Sequence, residues 1–367
     1  MAPSHSKNLL VTNFTLQTNT TGTPLWAALK RYTKAKLCGQ KVQPGYVLIL
    51  THGTGFHKEQ WEPTISHLFN LDKQDAIREA WAVDCQNHGE AAILNERVLI
   101  DRPGVLSIYD YVDALVALRR DLLGKSNPDY TERDKFILVG HSAGTVACVL
   151  ALASFNPLST VMFDSLILVE PPIYHPSAAV HHTAMYKAIS TITKRHDVWA
   201  SRDEARTWFR KRFPWKAWDS EVLDAYVNHG LRTLPTAFHP DKPDGVTLSA
   251  TWVDENAAYS KDSESATTAL WNLNTLCGVL PVHLIYGARN DLLFVVSSFS
   301  LKISTADRYH RSSREIQDSI VDTTEGRNFA SITRVAGTGH WVVQEAPKQM
   351  AETLWKFLAD PIPLHKL

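Results

Sequence analysis

"KFILVGHSAGTVACVLALASF", Lys135 to Phe155, holds a single serine, Ser142, between an apolar strand-like run and an apolar helix-like run. Four apolar residues after Lys135, ending at Val139, read as a buried strand, and "TVACVLALASF" is too long for one and reads as a helix. Gly140 and Gly144 remove side chains where the chain must turn sharply from one element to the other. A serine on that corner projects its hydroxyl into open space. Its position at a helix N-terminus also surrounds it with free backbone N–H groups that favour developing negative charge.

The same rhythm runs outward from this stretch. "NLLVTNFTLQT" and "LWAALKRYTK" read as two leading strands, "GYVLILTHGTG" as a buried strand ending in a glycine loop, and "REAWAVDCQNHGEA" as a strand and turn. "IYDYVDALVALRRDLL" has helical apolar spacing, and "DSLILVEPPI" returns to strand. Alternation of this kind implies a mainly parallel sheet covered by helices on both faces. From about His175 to Cys277 strand signals fade and helical ones dominate, with Trp199, Trp208, Trp215, Trp218, Trp252 and Trp271 spread among them. Strand character resumes in "PVHLIYGARND" and "ASITRVAGTGHWV", and "EAPKQMAETLWKFLAD" closes as an amphipathic helix. The organisation expected is a core over 1–174, a helical insertion over 175–277, the rest of the core over 278–361 and a tail over 362–367.

Composition narrows the partners. The 367 residues are 44% hydrophobic, enough for a substantial core, and 38 Lys plus Arg balance 38 Asp plus Glu. That balance gives no electrostatic footprint for nucleic acid or an anionic membrane, so a small-molecule ligand is expected. Cys38, Cys85, Cys148 and Cys277 lack zinc-site spacing and disulfide density, and read as reduced thiols. No stretch has the length and apolarity of a membrane span or a signal peptide. The final His365, Lys366 and Leu367 are similar to the SKL-type address read by the peroxisomal import receptor. The expected location is therefore the peroxisomal matrix, with the cytoplasm as the alternative. The oligomeric state is not legible.

"GHSAG" matches G-x-S-x-G with the strand and helix that the motif requires on either side. An acyl-transfer serine needs oxyanion donors, a base and an orienting acid, and the chain supplies each in order. "LTHGTG" follows a buried strand and offers the Thr54 amide, with Gly53 as an alternative, while Ala143 supplies the second amide. His52 reads as a structural histidine of that loop. His340, in "AGTGHWVVQEAP", follows the last strand on a glycine-rich loop, where the base belongs. Two carboxylates compete for the acid. Glu170 ends the strand after the nucleophile helix, and Pro171 is expected to hold its backbone extended. Asp291 follows the penultimate strand in "LIYGARNDLLF". Asp84 and His88 of "DCQNHGEA" read as bonding neighbouring loops, and Arg206, Arg210, Lys211 and Arg212 form a basic cluster able to hold an anionic group such as a coenzyme A phosphate.

From "LTHGTG" through "GHSAG" to "TGHWV", the chain resembles the α/β-hydrolase superfamily. The "HGTGFHKEQWEP" loop, "LVEPPI", the Trp-rich insertion and the tail are similar to a fungal group of peroxisomal toxin-biosynthesis proteins, which also holds the peroxisomal acyl-CoA hydrolase of mycophenolic acid biosynthesis. The resemblance implies a mostly parallel eight-stranded sheet flanked by helices, with a helical lid inserted after the strand that follows the nucleophile helix. It implies an acid taken from that same strand, which points to Glu170, although this chain offers Asp291 as well. It further implies an acyl-enzyme on Ser142, no metal or organic cofactor, and a thioester of acyl-CoA type as substrate. An ester or lactone hydrolase with the same triad is the alternative, and a ligand-binding scaffold of the same fold is the reading from outside enzymology.

Overall fold

The structure is a computed structural model, and it describes residues 9–19, 22–35, 43–124, 127, 129–155, 157, 163–178, 196–255, 264–289 and 317–359. Its strands are β1 (Leu9–Thr18), β2 (Leu25–Lys34), β3 (Tyr46–Thr51), β4 (Ile77–Val83), β5 (Lys135–His141), β6 (Ser165–Val169), β7 (Val198–Trp199), β8 (Leu231–Thr233), β9 (Val246–Leu248), β10 (Val282–Gly287) and β11 (Ser331–Val335). Eight of them form one sheet in the order β1-β2-β4-β3-β5-β6-β10-β11. The two pairings that involve β2 are antiparallel, and every later pairing is parallel.

The continuous apolar runs of the central strands follow from burial on both faces. Phe136 and Leu138 of β5 point into one apolar layer with Val47 and Ile49 of β3 and Leu166 and Leu168 of β6. Ile137 and Val139, with Leu48, Leu50, Ile167 and Val169, point into the other. The first layer is closed by the helices Ile108–Ala117 and Ala143–Ala153, and the second by Glu62–Leu71 and Pro347–Ala359. Leu138 is fully buried, so its truncation to alanine would cost about 2–5 kcal/mol.

Two features of the insertion differ from the sequence expectation. It is not wholly helical: β7, β9 and β8 make a small antiparallel sheet beside the helices Arg202–Arg210 and Ser220–His229. Strands of two or three residues are too short to show a period of two. The helix Ser265–Leu276, inside the stretch assigned to the insertion, buries Ala269, Leu270, Leu273 and Leu276 in the same layer as the helix Ala143–Ala153. Helical periodicity shows that a face is buried, not which layer receives it.

Five of the six insertion tryptophans, all but Trp271, join one aromatic cluster with Phe209 and Tyr226. That cluster also takes in Trp341, from the loop just after His340. The insertion therefore shares its core with the loop that follows β11. Cys85, Cys148 and Cys277 are buried free thiols; Cys38 lies outside the described residues.

Candidate active site

The loops after β3, β4, β5, β6, β10 and β11 gather at the carboxyl ends of the parallel strands, the end at which open α/β sheets present their ligands. Ser142 follows β5 with φ 51° and ψ −124°, a conformation that costs a non-glycine residue of order 1–3 kcal/mol. Neighbours hold it there. Its N–H donates to the Val169 carbonyl at 2.9 Å, and its own carbonyl accepts from the Thr145 N–H and hydroxyl at 2.9 and 2.6 Å. A Cβ on Gly144 would stand 2.5 Å from Thr51 Oγ1, and one on Gly53 would stand 2.8 Å from the Ser142 Cβ. Glycine at these two places lets the helix and the β3 loop close onto the serine.

His340 reaches back from the loop after β11. Its Nε2 lies 3.1 Å from Ser142 Oγ, and its Nδ1 lies 3.2 Å from Glu170 Oε2. With an ionised carboxylate beside it, Nδ1 carries the proton, which leaves the Nε2 lone pair facing the serine hydroxyl. His340 and Glu170 are largely out of solvent, at 7% and 6% exposed, while Ser142 is partly exposed.

Glu170 does not have the extended backbone that a residue before proline is expected to adopt. Its φ is 51°. Two bonds to β10 account for the turn: the Glu170 N–H donates to the Ile285 carbonyl at 2.8 Å, and Oε1 accepts the Gly287 N–H at 2.5 Å. One carboxylate oxygen is thus anchored on the sheet and the other faces the imidazole. Asp291 lies outside the described residues.

The Thr54 and Ala143 amides flank the serine and have no acceptor among the described residues. Beside them opens an apolar recess walled by Cys85, Leu106, Ile108 and Tyr111. The loop after β4 frames the Thr54 loop. His88 Nε2 accepts the Gly55 N–H at 3.0 Å while its Nδ1–H donates to Asn87 Oδ1 at 2.6 Å. His52 accepts the Cys85 N–H at Nε2 (3.1 Å) and bonds the Gly53 carbonyl through Nδ1 (2.8 Å). Burial drives the His52 pKa down to about 4 and that of His88 well below its ordinary value, so both act as neutral rings.

Two further residues have no distinguishing mark in the sequence. Lys58 is fully buried, with Nζ 2.8 Å from Asp84, 3.0 Å from Glu59 and 2.9 Å from Glu90, and its backbone N–H donates to Asp84 Oδ1 at 2.7 Å. Burial lowers its pKa, but Asp84 and Glu59 outweigh burial and raise it overall. His141, the second residue of the elbow motif, donates from Nε2 to the His340 carbonyl at 3.0 Å and stacks on Phe56 at 5.7 Å. Burial, helped by His340, holds its pKa near 3, which keeps it neutral. An interior lysine is rare enough that sequence reading assigns it to solvent.

Among the described residues no group of three or more His, Cys, Asp or Glu is arranged to hold a metal, and no helix is long and apolar enough to cross a membrane.

The model of the alpha/beta hydrolase family matches residues 48–353. Two type I acyl-CoA thioesterases of Penicillium brevicompactum, mpaH and mpaH′, are each 30% identical over 216 residues, which is 58% of this chain and 46% of theirs. The chain thus spans about half the length of these curated relatives. Among solved structures, the peroxisomal alpha-beta-hydrolase Lpx1 of Saccharomyces cerevisiae superposes with a TM-score of 0.65 at 17% identity, over 97% of this chain and 92% of that one. The Mycobacterium tuberculosis esterase Rv0045c gives 0.55 at 17% identity (95% and 92%), and the thioesterase domain of the curacin pathway gives 0.52 at 17% (94% and 99%). At such identity these structures establish the fold.

Proposed function

Because the chain belongs to the alpha/beta hydrolase family, we propose that it cleaves a thioester of acyl-CoA type through an acyl-enzyme on Ser142. The observation that carries this reading is the continuous chain of contacts Ser142 Oγ, His340 Nε2, His340 Nδ1 and Glu170 Oε2, with separations of 3.1 and 3.2 Å across the ring. Thioester rather than oxygen ester is favoured by the thioesterase naming of the Penicillium relatives.

In the first half-reaction Ser142 Oγ attacks the acyl carbonyl as its proton passes to His340 Nε2. Glu170 stabilises the resulting imidazolium and holds the ring in the productive tautomer. The Thr54 and Ala143 amides donate to the oxyanion, a contribution of about 2.7–4 kcal/mol for each donor in comparable sites. Collapse breaks the C–S bond, and the thiol leaves with the His340 proton. Water then enters, gives a proton to His340 and attacks the ester carbon. Release of the carboxylic acid returns the proton to Ser142. The apolar recess beside the two amides supplies a low-dielectric wall, against which these contacts are stronger than in water. The same reading places the protein in peroxisomes, with support from the peroxisomal fold relative. Its test is microscopy of the full chain with a fluorescent N-terminal fusion, with and without residues 365–367.

The deciding experiment is steady-state hydrolysis of matched acyl-CoA thioesters, oxygen esters and lactones by the native protein and by Ser142→Ala. Serine-dependent coenzyme A release, with kcat/KM above the oxygen esters, is the expected result. Preference for esters or lactones would replace the substrate class while keeping the triad. Turnover that survives Ser142→Ala would overturn the mechanism.

A further inference from the structure

The segment from Arg210 to Lys216 runs along the seam between the insertion and the His340 loop. Phe213 packs edge-on against Trp341, ring centroids 5.1 Å apart, and Trp341 directly follows His340. Two residues past Lys216, Trp218 packs on Phe56 of the loop that carries Thr54, at 5.6 Å, and the Asp219 N–H donates to the Gln344 carbonyl at 2.9 Å. Arg210, Lys211 and Arg212 just before the first anchor, and Lys216 between the two, are all exposed. The Lys216 N–H donates to the Arg212 carbonyl at 2.8 Å, which sets the two residues one turn apart, and the Arg212 guanidinium stands 4.1 Å from the Trp208 ring centroid.

Their charges are left available. Arg206, one turn earlier, pairs with Asp224, which removes it from the cluster expected from the sequence. Among the described residues none of the four later cations has a carboxylate within ion-pair distance, and the helix's own Asp203 and Glu204 sit in its first turn, at the far end. The helix dipole explains a cation at Arg210 in the last turn, but not Lys216 beyond it. In a chain with no formal net charge, four such cations within seven residues make a local positive field at the edge of the active site.

We propose that Arg210, Lys211, Arg212 and Lys216 bind the 3′-phosphate and pyrophosphate of coenzyme A. The nucleotide stays at the surface while the pantetheine arm follows the seam toward Ser142. Guanidinium groups suit this task because they pair with phosphate oxygens bidentately, and lysines supply point charge beside them. The reaction served is the thioester hydrolysis proposed above, and binding of the free coenzyme tests the site apart from that reaction.

The test is calorimetric titration of coenzyme A and 3′-dephospho-coenzyme A into the native protein, into Arg210→Glu/Lys211→Glu, and into the control Arg133→Glu/Lys135→Glu at the opposite end of the sheet. Reversal of two exposed charges is expected to weaken coenzyme A binding about tenfold, and added salt is expected to weaken the native complex. Loss of the 3′-phosphate should weaken it as well, and the control should match the native protein. In turnover, the ratio of kcat/KM for octanoyl-CoA over octanoyl-pantetheine should fall about tenfold in Arg210→Glu/Lys211→Glu. No measurable coenzyme A binding, equal binding by the native protein and that variant, or an unchanged ratio would overturn the proposal. If coenzyme A binds as expected while neither thioester is cleaved, the thioesterase reading fails and the binding site stands.

Discussion

Replacement of Glu170 by Gln tests the acid most directly, because it changes charge and donor pattern and almost nothing else. In the native arrangement Oε2 accepts from His340 Nδ1 at 3.2 Å and Oε1 accepts from the Gly287 N–H at 2.5 Å. A glutamine must offer its single carbonyl oxygen to one of these donors and its NH2 to the other. The short bond to Gly287 is to a fixed backbone donor, so the carbonyl is expected to go there and the NH2 to face Nδ1. His340 then responds by moving its proton to Nε2, the nitrogen 3.1 Å from Ser142 Oγ, and the base loses the lone pair it needs. Loss of the productive tautomer and of the imidazolium's counter-charge together should lower kcat by about 10⁴, or about 5.4 kcal/mol in activation free energy. The assay is kcat on the preferred thioester, with the rate of Ser142 labelling by a fluorophosphonate as a second reading of nucleophile activation and a urea midpoint to show that the fold is intact. Glu170→Gln within tenfold of native, together with a thousandfold loss in Asp291→Asn, would refute the assignment.

The other predictions concern stability. Lys58→Met takes the lysine from buried Asp84, while Glu59 keeps its pairing with Lys30, and should cost about 3–5 kcal/mol, read as a lower urea midpoint; a loss below about 1 kcal/mol would show that Asp84 finds another partner. Acid should destabilise the fold well before carboxylates titrate. Burial lowers His52 and His283 to about 4 and His141 to about 3, so below the unfolded value near 6.5 the unfolded chain binds more protons than the native one. Stability contributed by these neutral rings is complete above pH 6.5 and is lost as the pH falls toward 4; at pH 5.5 each accounts for about 1.4 kcal/mol. Urea titrations at pH 7.5 and 5.5 measure this, and equal stabilities at the two values would contradict it.

What the sequence made legible depended on how many constraints acted on each stretch. The strands β3, β5 and β6 are legible because burial on both faces leaves only apolar residues to choose from. Ser142 and His340 are legible as neighbours because each follows a strand of one sheet, so their meeting is decided by strand order. The choice between Glu170 and Asp291 could not be made from position, since both follow strands that lie between those of Ser142 and His340 in the sheet, β6 for Glu170 and β10 for Asp291. Glu170 reaches the imidazole with a left-handed backbone, which the following proline argued against. Lys58 and His141 were invisible in their working roles for a related reason: Lys58 meets the carboxylates of Asp84 and Glu90 and His141 the carbonyl of His340, all distant in sequence, and such contacts leave no periodic trace.

The insertion leaves the sheet after β6 and the chain rejoins it at β10, and these two strands are hydrogen-bonded neighbours, with Leu166 beside Val282. The ends of everything between them are therefore brought together by the sheet itself. A longer or shorter excursion would bear only the slowly growing entropy of loop closure, and no register in the sheet would have to change. The arrangement resembles a socket with fixed contacts: what is plugged in can be exchanged as a piece, while the reacting atoms stay wired to the strands beneath. Diversification of what such a chain accepts can then proceed by replacement of that one excursion, without renegotiating the geometry at Ser142.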